Sequence, residues 1–148
     1  MYKSILVATD GTELSGWAVE HAVKLAKVLG AGLTIVTVTE PPPTISSAEL
    51  GWSVPVDLYE QFRKTDANRA RKILEDASSV AARLGWAAAS RHVAEQLPYA
   101  GILAAARDTI ADLIVMASHG HRGLDRLILG SQASKVLSLS KCPVLIVR

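Results

Sequence analysis

The sequence predicts a doubly wound α/β domain, in which helices cover both faces of a five-stranded parallel sheet. Short apolar runs rich in β-branched residues, each of strand length, alternate along the chain with segments of helical periodicity. Strict alternation of this kind implies right-handed βαβ crossovers and therefore a parallel sheet. The chain has 148 residues, of which 49% are hydrophobic, so one core can form without disulfide or metal support. We therefore expect a single domain over residues 1–148.

The first half of the chain contains two predicted strands and one predicted helix. The run Ser4–Thr9 is short and rich in β-branched residues, and an Asp-Gly-Thr turn sequence follows it. Apolar residues then recur on one helical face from Leu14 to Leu29, and two glycines stop the helix before a second strand at Leu33–Val38. Segment 41–57 holds four of the six prolines and predicts a long loop, which is either a binding loop or a surface insertion.

The second half continues the alternation. Apolar positions from Ala70 to Leu84 mark one face of a long helix, and an alanine-rich third strand is expected around Ala87–Ala94. The later predicted elements are a helix over Pro98–Ile110, a buried strand at Leu113–Ala117, a helix over Ser131–Ser140 and a strand at Cys142–Val147.

The charge and cysteine content exclude several classes of protein. The net charge is +2 and no block of like charge occurs, so neither nucleic acid nor a membrane is an expected partner. The longest apolar run falls far short of the ~20 residues that span a bilayer, and no signal-peptide pattern precedes the first strand. We therefore expect a cytoplasmic protein. Its one cysteine, Cys142, makes no internal bridge, and the four histidines lack zinc-site spacing.

The predicted topology indicates where a ligand would bind. In open parallel sheets, ligands lie beyond the carboxyl ends of the strands, at the point where the strand order reverses. The candidate positions are therefore the residues that follow three of the strands, Thr9–Thr12, Val38–Glu40 and Ala117–Gly123. Asp112 precedes its strand, faces the opposite edge of the sheet and is expected to be structural.

A glycine-bearing loop after the fourth strand is the candidate phosphate site. The chain contains neither the P-loop sequence nor the Gly-x-Gly-x-x-Gly sequence of dinucleotide-binding enzymes. Instead, Gly120, Gly123 and Gly130 lead into the last predicted helix at Ser131. Glycines let main-chain N–H groups approach an anion closely, and a helix N-terminus adds unpaired donors and partial positive charge.

The same loop carries a family resemblance. Over essentially its full length the sequence resembles the universal stress protein (UspA-like) family, whose ATP-binding branch has the motif Gly-x2-Gly-x9-Gly-Ser/Thr. This chain reads Ala117-Ser118-His119-Gly120, then nine residues, then Gly130-Ser131. The spacing is intact, and alanine replaces the first glycine. The resemblance implies an adenine-nucleotide α-hydrolase-like, Rossmann-like fold with strand order 3-2-1-4-5.

The resemblance also implies a ligand, its binding residues and a partner. The ligand is ATP or another adenine nucleotide with Mg²⁺, and the Asp10 carboxylate would contact a ribose hydroxyl or, through water, the metal. The implied residues are Ala8, Thr9 and Asp10 beside the adenosine and ribose, the Val38 backbone at the adenine edge, Met116 and Ala117 near base and sugar, and His119, Gly120, Gly130, Ser131, Gln132 and Ala133 around the phosphates. The implied partner is a second copy, bound through the last strand at Val144–Val147. An uncovered apolar strand edge independently favours such pairing.

Several alternatives stay open from the sequence alone. Asp10 could serve only as a turn or capping residue of the first helix, and the Ser131 hydroxyl could cap the last helix. No catalytic residues can be assembled at the expected edge, so at most weak ATP hydrolysis is predicted. The leading hypothesis is a homodimeric ATP-binding module for stress response or signalling. The alternatives are a homodimeric interaction protein of the same fold that binds no nucleotide, and a slow ATP hydrolase.

Overall fold

The computed structural model describes residues 1–42, 55–120 and 128–148. Its strands are β1 (Ser4–Ala8), β2 (Gly32–Val38), β3 (Ala89–Val93), β4 (Leu113–Ala117) and β5 (Val144–Val147), and its described helices are α1 (Glu13–Leu29), α2 (Val56–Arg83), α3 (Pro98–Asp108) and α4 (Ser131–Leu139). The strands form one parallel sheet in the order β3-β2-β1-β4-β5. The predicted fold class and strand order are both confirmed.

Side chains that alternate along the central strands build a separate core on each face of the sheet. Ile5 and Val7 of β1 pack against α1 and α2, whereas Leu6 and Ala8 pack against α3 and α4. Because β1 is covered on both faces and paired with β2 and β4 at both edges, its sequence is apolar without interruption from Ile5 to Ala8.

Local sequence signals set the two ends of α1. Thr12 is the N-cap, and its side-chain oxygen accepts a hydrogen bond from the N–H of Ser15. Gly30 ends the helix in the left-handed conformation with a φ of 65°, which glycine adopts without steric penalty. The helix predicted between Leu14 and Leu29 is therefore confirmed, and it begins one residue earlier, at Glu13.

The long helix α2 begins earlier than its apolar face predicts. It starts at Val56, so the last two residues of the proline-rich segment 41–57 are helical; residues 43–54 lie outside the described residues, and their predicted role stays a prediction. Only the second half of α2 is packed, through Ala70, Leu74, Ala77 and Ala81. No helix in the described ranges combines the length and apolar character needed to cross a membrane.

Asp112 links the amino ends of the central strands β1 and β4 by hydrogen bonds. Its carboxylate accepts hydrogen bonds from the backbone N–H of Lys3 at 2.8 Å and of Ser4 at 3.0 Å. These bonds favour the ionised carboxylate and lower the pKa of Asp112 below its ordinary value. The structural role predicted for Asp112, at the edge opposite the candidate site, is confirmed.

β5 is an edge strand whose outer side has no strand partner among the described residues. The carbonyls of Pro143 and Val147 accept hydrogen bonds from β4 and the residue after it, at 3.0 and 2.8 Å. Since main-chain groups alternate in direction along a strand, those of Val144 and Ile146 point away from β4. The outer edge of the sheet therefore presents a short apolar strand.

Candidate functional site

Asp10 links the β1–α1 loop to the loop after β4. One oxygen of its carboxylate, Oδ1, accepts the Thr12 N–H at 3.0 Å and the Thr12 hydroxyl at 2.6 Å. The other oxygen faces Gly120, where a Cβ would lie only 2.8 Å from Oδ2. Asp10 is therefore a turn residue, as one alternative predicted, and it also faces the glycine loop; Thr12, not Asp10, is the helix cap.

Gly130 brings the start of α4 close to the end of β4. Its N–H donates to the Ser118 carbonyl at 2.8 Å, and a Cβ at this position would stand 2.8 Å from the same oxygen. A side chain at Gly130 would push two main-chain segments apart, so close approach requires glycine here. A side chain at Gly120 would instead displace the Asp10 carboxylate. Residues 121–127 of the motif spacer lie outside the described residues.

The first main-chain N–H groups of α4 have no acceptor among the described residues. The N-cap is Gly130, and no side chain in the described part of the chain caps this end. The alternative in which the Ser131 hydroxyl caps the helix is wrong, because Ser131 is already the first helical residue. The N–H groups of Ser131, Gln132 and Ala133 precede the first intrahelical bond, the usual arrangement for anion binding. Since the Ala133 side chain is buried in the core, only its main chain is available.

The Gln132 side chain is occupied by a neighbouring helix. Its Oε1 accepts a hydrogen bond from the N–H of Tyr99, in the first turn of α3, at 3.0 Å. Because α3 has no side-chain N-cap of its own, Gln132 satisfies a donor that would otherwise lack a protein partner. This contact has no sequence signal, since its partners belong to different helices.

His119 contributes a buried nitrogen without a partner. Its Nδ1 lies 2.8 Å from the Ser118 hydroxyl oxygen. Its Nε2 is buried and makes no hydrogen bond to any of the described residues. Buried polar atoms in native proteins are almost always paired, so an orphaned nitrogen beside the glycine loop indicates a place where a polar ligand atom fits.

Three of the residues expected beside the base and ribose lie on one face of the sheet. Ala8, Val38 and Met116 come from three adjacent strands and share the core under α3 and α4. Thr9 points to the opposite face, and its hydroxyl lies 2.9 Å from that of Ser15. The structure thus brings the first three side chains together, whereas only the main chain of Thr9 is left for the same face.

The chain has Ala117 where the family motif has its first glycine, and the position of the alanine side chain shows why this replacement is tolerated. The methyl group packs in the core on the α1 and α2 face, away from Met116. Its φ is not positive, since Glu95 and Ile110 are the described non-glycine residues with positive φ. Neither backbone conformation nor crowding at the candidate site therefore requires glycine here.

The described residues contain no group of three or more His, Cys, Asp or Glu side chains that could hold a metal ion. Asp10 is the single carboxylate placed beside the glycine loop by the contacts above. The donor set therefore fits a cation that brings most of its oxygen ligands with it, as a phosphate-bound Mg²⁺ does.

Comparison with known proteins agrees with this architecture. The model of the Universal stress protein family matches residues 1–148. Universal stress protein YxiE of Bacillus subtilis is 38% identical over 149 residues, with complete coverage of both chains. Universal stress protein UspA from Lactobacillus plantarum shares the fold, with a TM-score of 0.83, 22% identity and coverage of 99% of this chain and 98% of that one. A universal stress protein solved in complex with cAMP has a TM-score of 0.73 and 28% identity, covering 99% and 97%. The chain belongs to the universal stress protein family.

Proposed function

We propose that this protein is an adenine-nucleotide-binding module of stress response or signalling, with ATP as its leading ligand. The observation that carries the proposal is the junction of Asp10 with Gly120, where a carboxylate oxygen occupies the space that a side chain would fill. The similar protein that was solved with cAMP supports an adenine nucleotide as the class of ligand.

The residues at this junction fit the parts of a nucleotide. Ala8 and Met116 would lie beside the base at the end of the core that they share with Val38, whose main chain would contact the adenine edge. The Asp10 carboxylate would accept a hydrogen bond from a ribose hydroxyl. The His119 Nε2, which has no partner among the described residues, would gain one. Gly120, Gly130 and the N–H groups of Ser131, Gln132 and Ala133 would surround the phosphates. Ala117 and Thr9 would contribute main-chain atoms. A bound Mg²⁺ would neutralise phosphate charge, with Asp10 contacting it through water.

Calorimetric titration with Mg-ATP and with cAMP tests the proposal. We expect saturable binding that Asp10→Asn weakens about tenfold, or ~1.4 kcal/mol, because the variant keeps an oxygen for Thr12 but loses the charge. Gly120→Ala should weaken binding similarly, since its Cβ displaces the Asp10 carboxylate. Ala117→Gly is the matched control and should change affinity by less than about twofold, because its methyl group faces the other core.

The outcomes separate the three functions. Absence of saturable heat from wild type, or full affinity in both the Asp10 and Gly120 variants, overturns the nucleotide site. If wild type binds no nucleotide and still dimerises, the interaction-protein alternative holds. If the wild-type protein releases more than trace ADP from Mg-ATP and Asp10→Ala abolishes this release, the protein is a slow hydrolase.

The proposal includes a homodimer formed through β5. Val144 and Ile146 direct their main-chain groups away from β4, and the strand is apolar throughout. An exposed edge of this kind readily pairs with another strand, and a second copy of the same edge is self-complementary.

A further inference from the structure

A half-open cavity of about 560 Å³ lies on the other face of the sheet, between α1 and α2. Its lining includes buried or partly buried apolar side chains of Val19, Ala77 and Val80. Its rim carries Arg69, Lys72 and Asp76. The volume falls within the ~300–1,000 Å³ range of small-molecule sites. Of the residues proposed for the nucleotide, Thr9 alone lines this cavity as well.

Gly16 is the second observation that points to a ligand here. It lies inside α1, where glycine is about 1 kcal/mol less favourable than alanine. Among the described residues, a Cβ built on Gly16 meets nothing within 4 Å outside the local helix backbone, and the φ of Gly16 is not positive. Neither packing nor conformation therefore requires glycine at this position. Because Gly16 lines the cavity, its missing side chain leaves the space open.

The rim carries two cations, and each is held in a surface ion pair. Arg69 pairs with Asp66 at 2.8 Å and Lys72 pairs with Asp76 at 3.2 Å, each within α2. The two cationic side chains are 65% and 75% exposed, and such surface pairs contribute less than about 1 kcal/mol. Asp66 does not line the cavity, so two cations face it with one carboxylate. An incoming anion can therefore recruit both cations at small cost.

We propose that this cavity is a second binding site, specific for a small amphipathic organic anion. The apolar body of the ligand packs on Val19, Ala77 and Val80, and its carboxylate or sulfonate lies at the rim beside Arg69 and Lys72. The site adjoins the proposed nucleotide site at Thr9. Its apolar lining packs on the face opposite Ala8, Val38 and Met116, so the two sites can fail independently.

Two fluorescent probes of the same shape test the site. Anilinonaphthalene sulfonate is an amphipathic anion, and N-phenylnaphthylamine is its neutral counterpart. We titrate each into the full-length protein without nucleotide and again with saturating Mg-ATP, so that binding at the nucleotide site is recognised by its loss in the second titration. Saturable binding of one anionic probe per chain is expected.

Gly16→Leu fills the cavity and should weaken binding of both probes about tenfold or more. The variant replaces a helix glycine with a strong helix former, so it should remain folded and melt at or above the wild-type temperature. His21→Leu is the matched control, because it adds the same side chain to an exposed position of α1 that does not line the cavity. It should bind both probes as wild type does.

The double variant Arg69→Gln, Lys72→Gln tests the charge of the ligand. It should weaken the anionic probe about tenfold and leave the neutral probe unchanged. Equal effects on both probes would contradict an anion site. The proposal is overturned if the anionic probe shows no saturable binding, or if Gly16→Leu binds the probes with wild-type affinity. It is also overturned if ATP displaces the probe in proportion to nucleotide occupancy. Calorimetry with ATP alone reports on the nucleotide site, so the failure of either site is recognised separately.

Discussion

Ile110 carries local backbone strain at the end of α3. It has a φ of 50° and is 85% exposed. Its N–H donates to the Arg107 carbonyl at 3.1 Å, and the N–H of Ala111 donates to the Ala106 carbonyl at 2.9 Å, which closes the helix. The left-handed conformation is unfavourable for a β-branched residue, and glycine is the residue that most helices place here.

Ile110→Gly should therefore raise the free energy of unfolding by about 1 kcal/mol, because it removes the strain and keeps both closing hydrogen bonds. Chemical denaturation measures the change. Val28→Gly is the control with the opposite sign: Val28 is 83% exposed but lies within α1. Glycine inside a helix lowers stability. A loss of stability in Ile110→Gly would show that the Ile110 side chain contributes more than its conformation costs.

A hydrogen bond between Gln132 and Tyr99 links α4 to the first turn of α3. Gln132→Ala should lower the free energy of unfolding by about 1 kcal/mol, because it leaves the Tyr99 N–H without its acceptor. Gln132→Glu restores an acceptor at the N-terminus of α3 and should recover most of the loss. Thermal denaturation of the two variants gives the comparison. Equal destabilisation by Ala and Glu would mean that the hydrogen bond does not hold the helices together.

Asp112 makes the junction of β1 and β4 sensitive to acid. Its folded-state pKa lies below the ordinary value, so its contribution to stability is complete above the unfolded pKa of about 3.9. That contribution is lost as the pH falls through the lowered pKa of the folded state. Asp112→Asn should be less stable than wild type at neutral pH and should lose less stability between about pH 5 and pH 2.

Denaturation curves over this pH range test the Asp112 prediction. Glu75→Gln, at an exposed position of α2, removes one carboxylate away from the strand junction and serves as the control. If the two variants show the same pH dependence, the backbone bonds to Lys3 and Ser4 are not the cause of the acid sensitivity.

Sequence patterns predicted the helices and strands that bury an apolar face. They failed for exposed segments, which carry no apolar periodicity. The start of α2 was missed because residues from Val56 to Arg69 are almost entirely exposed, so no apolar periodicity marks them. Gln132 could be placed near the phosphate loop but not against Tyr99, because a contact between separate helices leaves no local pattern. The orientation of Ala117 likewise depends on strand register and on the helices that cover each face, and it becomes visible only in the fold.

The whole sheet accounts for the position of both candidate sites. The chain reverses direction across the sheet between β1 and β4, so the loops after these strands diverge to opposite faces and leave a crevice. Asp10 and Gly120 meet at this crevice, whereas Thr12 and Gly16 continue to the cavity beneath α2. The turn that fixes Asp10 thus begins the helix that lines the second cavity. Topology alone predicted the crevice where Asp10 meets Gly120. The position of the cavity depends also on the spacing between α1 and α2, which the topology does not give.

At the edge of the molecule, β5 is the strand through which the proposed homodimer would form. We expect wild type to elute with twice the chain mass of 15.7 kDa in size-exclusion chromatography with light scattering. Ile146→Pro should give a monomer, because proline removes an N–H that points away from β4 and blocks pairing at this edge. Ile146→Ala is the matched control. It removes most of the same side chain but keeps the N–H, so it should remain dimeric.

Circular dichroism of both Ile146 variants establishes that the sheet persists, since neither substitution touches a hydrogen bond between β4 and β5. A monomeric wild type would contradict the dimer. Dimers of unchanged stability in Ile146→Pro would show that the copies associate through another surface. Loss of the dimer in Ile146→Ala as well would mean that side-chain packing, rather than main-chain pairing along the strand, holds the two copies together.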